Sequence, residues 1–139
     1  MQECNCHSHL PYGSCCKKFH QGTLPETALQ LMRSRYCAYA LGLVNYIIQT
    51  THKNNSSYNP NFPTWKKELK NFCKNTHFEN LEILHFEEKE TLAFVSFIAT
   101  LKQDSHDLTF TEKSIFKKEG TSWLYLEGIA YPGRHLEIS

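Results

Sequence analysis

Residues 91–101 read TLAFVSFIATL, and this run decides the fold class. Strand alternation puts Phe94, Ser96 and Ile98 on one face and Val95, Phe97 and Ala99 on the other, so both faces are apolar. A strand of this kind sits in the middle of a sheet, covered on both sides. Its neighbours in sequence share the texture. LEILHFEE (81–88), DLTFTEKSIFKK (107–118) and SWLYLEGI (122–129) are rich in β-branched and aromatic residues. Short turns at Glu90 and Gly120 and a longer one at KQDSHD (102–107) make antiparallel hairpins the expected connections.

Upstream of Asn80 the period changes from two to that of a helix. Thr23 and Glu26 have the capping-box spacing, Pro25 lies in the first turn, and helix formers run from Glu26 to Leu41. Leu29, Met32, Tyr36, Tyr39, Ala40 and Leu43 recur at helical spacing as the buried face. Gly42 marks a bend into a second, short helix from Leu43 to Thr51. A polar loop, HKNNSSYNPNFP (52–63), precedes a third helix that opens at Pro63-Thr64-Trp65 and runs to Asn75, with Lys66, Lys67, Lys70 and Lys74 as its solvated face. Three helices followed by four hairpin-connected strands define an α+β domain, helices over one face of a curved antiparallel sheet, spanning residues 23–139. Its tail, AYPGRHLEIS (130–139), is expected to be loosely held.

A chain of 139 residues supports one such domain and a small appendage. With 15 Lys and Arg against 14 Asp and Glu, the overall charge carries no strong nucleic-acid signal. The longest apolar stretch, YCAYALGLVNYII (36–48), is too short for a membrane helix and is broken by Asn45. Met1 to Cys6 lack a basic segment followed by an apolar one, so a cytoplasmic, thiol-reducing setting is expected.

The appendage, residues 1–22, contains CNCHSHLPYGSCC (4–16). Cys4 and Cys6 form a C-x-C pair, eight residues intervene, and Cys15 and Cys16 are adjacent. The turn at Pro11 to Gly13 brings the pairs together, as a tetrahedral thiolate site requires; near-vicinal cysteines would make strained disulfides. The expectation is structural zinc held by Cys4, Cys6, Cys15 and Cys16, with His20, His7 or His9 able to stand in for Cys16. Cys37 and Cys73 read as small buried core residues.

One strand breaks its own pattern. On Leu108, Phe110, Glu112, Ser114 and Phe116, an otherwise apolar face carries a carboxylate and a hydroxyl. Arg33 or Arg35 from the first helix is the expected partner of Glu112, since a buried carboxylate needs one. Two outcomes follow: a structural ion pair in a filled core, or a polar cavity formed by Arg33, Arg35, Tyr36, His52, Glu112 and Ser114 with Trp65 or Trp123 as an apolar wall.

The motifs also carry a resemblance. CNCHSHLPYGSCC is similar to the SEC-C module at the end of the SecA translocation motor, C-x-C-x-S-x6-C followed by Cys or His, with Ser8 on the serine position, Cys16 on the last ligand, and His7 where glycine is usual. LMRSRYCAYALG (31–42), TTHK (50–53), FVSFIA (94–99), EKSIFKKEGTSWLYLEG (112–128) and the closing GR (133–134) resemble the YchJ-like family, in which such a module precedes a nuclear-transport-factor-2-like domain. The resemblance implies a cone of helices around a curved sheet, often with a cavity, and no known reaction. It also implies a docking role for the zinc module, toward a protein or ribosomal partner. A small-molecule binder, or an isomerase- or dehydratase-type enzyme using the cavity, is the alternative. Homodimerisation through the open sheet face is compatible with either.

Overall fold

The computed structural model describes residues 2–138. A short turn of 3₁₀ helix at Tyr12–Ser14 and a single helical turn, α1 (Lys17–His20), complete the N-terminal module. The domain proper contains α2 (Ala28–Leu41), α3 (Val44–Gln49) and α4 (Phe62–Asn75), then β1 (His77–Glu88), β2 (Leu92–Gln103), the two-residue β3 (His106–Asp107), β4 (Phe110–Glu119) and β5 (Ser122–Pro132). The sheet is antiparallel throughout, in the order β1-β2-β4-β5, with β3 pairing onto β2. β2 is central, and Ala93, Val95, Ser96, Phe97, Ile98, Ala99 and Leu101 are buried along it. Register shifts at Phe78/Asn80, Ile83/His85 and Ile115/Phe116 interrupt the ladders. Such bulges bend and twist strands, which curls the sheet around the helices.

α2 begins four residues later than its sequence signature suggests. The capping box is Thr27 with Gln30: the Thr27 hydroxyl accepts from Gln30 N at 3.1 Å and Gln30 Oε1 accepts from Thr27 N at 3.3 Å. Glu88 Oε1, at the end of β1, accepts from Ala28 N at 2.9 Å, so a tertiary contact selects this start over Thr23. At the other end Gly42 takes φ 74°, and Leu43 N donates to Ala38 O at 2.8 Å. That is a Schellman closure, and only a residue tolerant of left-handed backbone makes it cheaply.

The main core joins Leu31, Met32 and Tyr36 of α2 to Val95, Phe97, Phe116 and Trp123 of the sheet. α2 is buried around more of its circumference than one stripe, because Ser34, Arg35, Cys37 and Ala38 are covered as well. Trp65 is the buried residue of α4, while Lys67, Lys70 and Lys74 are exposed. The tail is held more firmly than expected as far as His135. Gly133 N donates to Thr109 O at 2.8 Å, His135 N donates to the Thr111 hydroxyl at 2.9 Å, and Arg134 forms a two-pronged ion pair with Glu82. No described helix is long and apolar enough to cross a membrane.

Candidate metal centre and cavity

Residues 3–11 close on themselves through an antiparallel bridge between Glu3 and Pro11 and a Cys4 N to Leu10 O hydrogen bond of 2.7 Å. His7 and His9 both take left-handed backbone, φ 62° and 70°. Histidine is among the side chains that tolerate this region, which explains how His7 stands at a usual glycine position without opening the loop. The 3₁₀ turn and α1 then present Cys15 and Cys16 to Cys4 and Cys6. All four sulfurs lie within 4.8 Å of one another, with Cys6 to Cys15 at 3.5 Å and Cys15 to Cys16 at 3.9 Å. A tetrahedral thiolate centre with metal–sulfur bonds of about 2.3 Å has sulfur–sulfur edges of about 3.8 Å. The donor set therefore fits a thiophilic metal ion, and the cysteines are not paired as disulfides.

The thiols are not held alike. Hydrogen bonds from Cys16, and then from Ser8 and Cys15, hold the Cys6 thiol down to about 4 despite its burial. Burial pushes Cys4 up to about 12, so this sulfur needs a neighbouring cation to stay ionised. Four protein sulfurs leave no open position, which makes such a centre structural. Around it, Arg33 Nη1 donates to Cys6 O at 2.9 Å, fastening the module to α2. His20 spans Tyr12 Oη at 2.8 Å and Ser34 O at 2.9 Å, so both ring nitrogens are engaged away from the sulfurs and it is no ligand in this arrangement. His9 Nδ1 meets Glu3, and the His7 ring sits edge-on to Tyr36. Cys37, expected as an ordinary core residue, is buried against this cluster with its sulfur 3.7 Å from that of Cys4. Cys73 is half-buried on α4.

The second site is a cavity of about 220 Å³ between α2, α4 and the sheet. Its walls are Met32, Tyr36 and Tyr39, Phe72, and Phe97, Phe110 and Phe116, with Arg35, Glu112, Ser114 and Tyr125 as polar lining. The expected arginine fork on Glu112 does not form. Glu112 Oε2 instead accepts the Ser114 hydroxyl at 2.6 Å and the Tyr125 hydroxyl at 2.8 Å. Arg35 turns to the C-terminal end of α3, where Nη1 donates to Ile47 O and to the Thr50 and Thr51 hydroxyls, at 3.0, 2.7 and 3.1 Å. Those acceptors sit at the negative end of a helix and satisfy the guanidinium, whose carbon lies 4.9 Å from the Tyr125 ring centre.

Gly128 makes room for this arrangement. It pairs with Ser114 across the β4–β5 ladder, and a Cβ there would collide with Glu112 Oε2 and stand 2.7 Å from Tyr125 Oη. Burial, and next the Glu112 charge, raise the Tyr125 phenol above its ordinary range, so it remains a hydrogen-bond donor.

Of the residues anticipated for a pocket, Arg35, Tyr36, Glu112 and Ser114 line the cavity. Arg33 belongs to the thiol module. His52 is buried outside the cavity, with Nε2 2.9 Å from Glu119 and Nδ1 accepting from Asn54 N at 3.0 Å. Trp123 is packed into the main core, and Trp65 packs against Tyr58. Tyr39, Tyr125 and Gly128 were not singled out as site residues. The contact of Tyr125 with Glu112 depends on the cross-strand register of β4 and β5, which strand pattern alone does not give.

A small cone with a cavity, preceded by a C-x-C, C-C module, defines the class: a nuclear-transport-factor-2-like domain carrying a SEC-C-type cysteine motif. Comparison narrows it. Residues 27–128 match the family model for the middle NTF2-like domain of YchJ, and the chain belongs to that family. A UPF0225 protein of Haemophilus influenzae is 37% identical over 131 residues, covering 91% of this chain and 77% of that protein. The solution structure of a SEC-C motif containing protein from Rhodopseudomonas palustris superposes with TM-score 0.76 at 28% identity, covering 94% of this chain and 99% of the other. The crystal structure of a SEC-C motif containing protein from Psychrobacter arcticus gives 0.75 at 27% identity, covering 91% and 81%.

Proposed function

We propose that the chain is a small-molecule-binding protein whose ligand occupies the cone cavity, with a zinc-loaded N-terminal module as its structural clamp. One observation carries this reading: Glu112 faces an aromatic cavity with hydroxyl donors on one oxygen and no cation paired to it among the described residues. An apolar cavity of about 150 Å³ holds a benzene ring, so about 220 Å³ suits a ligand with a single substituted ring. Its apolar body would meet the phenylalanines, and a donor or positive group would meet Glu112. A substrate that placed an acidic C–H there would find a proton acceptor in the same carboxylate.

The test is a fragment screen by protein NMR on the zinc-loaded chain. Ring-bearing amines and phenols are expected to perturb Tyr39, Ser114 and Tyr125, and Glu112→Leu to remove the response. Binding that left those residues untouched would overturn the reading. The four sulfurs support zinc, since it favours tetrahedral thiolates and has no redox chemistry. Native mass spectrometry with and without chelator checks it, the expected result being one zinc per chain.

A second reading, docking of the module onto a protein or ribosomal partner, is supported by Leu10, which is 52% exposed, and by the exposed Lys17 and Lys18. Co-sedimentation with ribosomes that survived Leu10→Ser together with Lys17→Glu and Lys18→Glu would exclude this surface. Self-association through β5, where Ile129 and Tyr131 are exposed, is decided by light scattering.

A further inference from the structure

A fifth thiol touches the four-sulfur cluster of the candidate metal centre. The fifth, Cys37, comes from α2, lies 33 positions from Cys4 in sequence, and is completely buried. Its sulfur is 3.7 Å from that of Cys4. The 3.7 Å separation equals, within the spread expected of one coordination shell, the edge of about 3.8 Å in a tetrahedral thiolate centre. Cys4, Cys6, Cys16 and Cys37 form one buried cluster, whereas Cys15 sits half-buried at its rim with the Ser8 hydroxyl 3.2 Å from its sulfur. A tetrahedral ion takes four ligands, so one thiol is surplus. The two that differ most in setting are the rim thiol Cys15 and the helix thiol Cys37.

We propose that Cys37 is a reserve ligand of the metal centre, able to replace Cys15, so that the ion is held by Cys4, Cys6, Cys16 and Cys37. This rests on the module binding metal through Cys4, Cys6 and Cys16. The exchange forms one metal–sulfur bond and breaks one, and the proton on Cys37 ends on Cys15, so the charge of the site is unchanged. With Cys37 engaged, the ion is bonded directly to α2, the helix that supplies Arg35, Tyr36 and Tyr39 to the cavity wall. Cys15 is then a free thiol beside Ser8.

The test uses the full chain with zinc and cobalt as probes, in the wild type, Cys15→Ser, Cys37→Ala and the double variant. Zinc affinity is read by chelator competition, and ligand number by the cobalt absorption spectrum. Cys15→Ser is expected to bind one ion within about 10-fold of wild type and to keep the four-thiolate cobalt spectrum. The double variant is expected to lose more than the about 100-fold that an outer-shell change can cost, and to show three-thiolate absorption. A three-thiolate spectrum in Cys15→Ser, or equal affinities in Cys15→Ser and the double variant, overturns the proposal. Should the double variant not fold, limited alkylation of the zinc-loaded wild type followed by native mass spectrometry takes its place. Chains labelled at Cys15 must retain zinc, and loss of zinc with that first label overturns it. Failure of the wild type to bind either ion would defeat the metal reading itself, a result separable from the others.

Discussion

The thiol module and the cavity share one helix and are built by opposite means. Within the module, four sulfurs gather from residues 4–16 along a short loop with little apolar side chain to bury, so a bound ion would supply what packing cannot. The cavity gathers residues from α2, α4 and four strands, and its shape is kept by aromatic packing and sheet register. Arg33 and Arg35, two positions apart, mark the division: one is tied to Cys6 O and the other to the end of α3. Local cross-linking gives a unit that a chelator can dissolve, whereas distributed packing gives one that only core damage can.

The largest effect is expected from metal removal. Structural zinc in finger peptides is worth about 10–16 kcal/mol at neutral pH, and chelation should release residues 2–22 while the amides of β2 and β4 stay protected in hydrogen exchange. Equal loss of protection in the sheet would show that the two regions are one cooperative unit. Because the sulfurs must ionise to bind, metal affinity should also fall as pH falls, as chelator competition across a pH series would show.

Next in size is Gly128→Ala. Its new methyl meets the Glu112 carboxylate, so a stability loss of about 1–3 kcal/mol and loss of cavity binding are expected in thermal denaturation and fragment titration. Metal binding by the thiol module should not change. Glu112→Gln sharpens the contrast, since an amide oxygen still accepts from Ser114 and Tyr125. Stability should stay within about 1 kcal/mol while cationic fragments lose affinity.

The smallest effect lies at the tail. The Arg134 guanidinium holds the Glu82 carboxyl below its ordinary value of 4.5. A depressed carboxylate stabilises the fold above the unfolded value, and the contribution disappears as pH falls through the folded one. The pair is solvent-accessible, so Glu82→Gln should flatten only a small part of an acid-unfolding curve below about pH 4.5.

Strand β2 was legible because burial on both faces leaves no polar alternation to misread. The cysteine pairs were legible because their spacing is local. What escaped the sequence depends on partners distant along the chain. Thr23-x-x-Glu26 and Thr27-x-x-Gln30 both satisfy a capping box, and the choice falls to Glu88, 60 residues from Ala28. Arg33 or Arg35 was expected on Glu112 for its charge and its fork, but Arg33 is held by Cys6 O and Arg35 by acceptors at the end of α3 already positioned around its guanidinium. Cys37 lies 33 residues from Cys4, and its burial was foreseen where its neighbours were not.

The notch at Gly128 has a consequence for how this cavity can change over generations. Enlarging position 128 first collides with the carboxylate, while Glu112→Asp first leaves empty space, so the two positions can exchange size only in one order. A chain that had acquired Glu112→Asp and then Gly128→Ala would carry its acid one methylene deeper in the wall, and the shape and polarity of the cavity would shift as a by-product of that enforced sequence of steps.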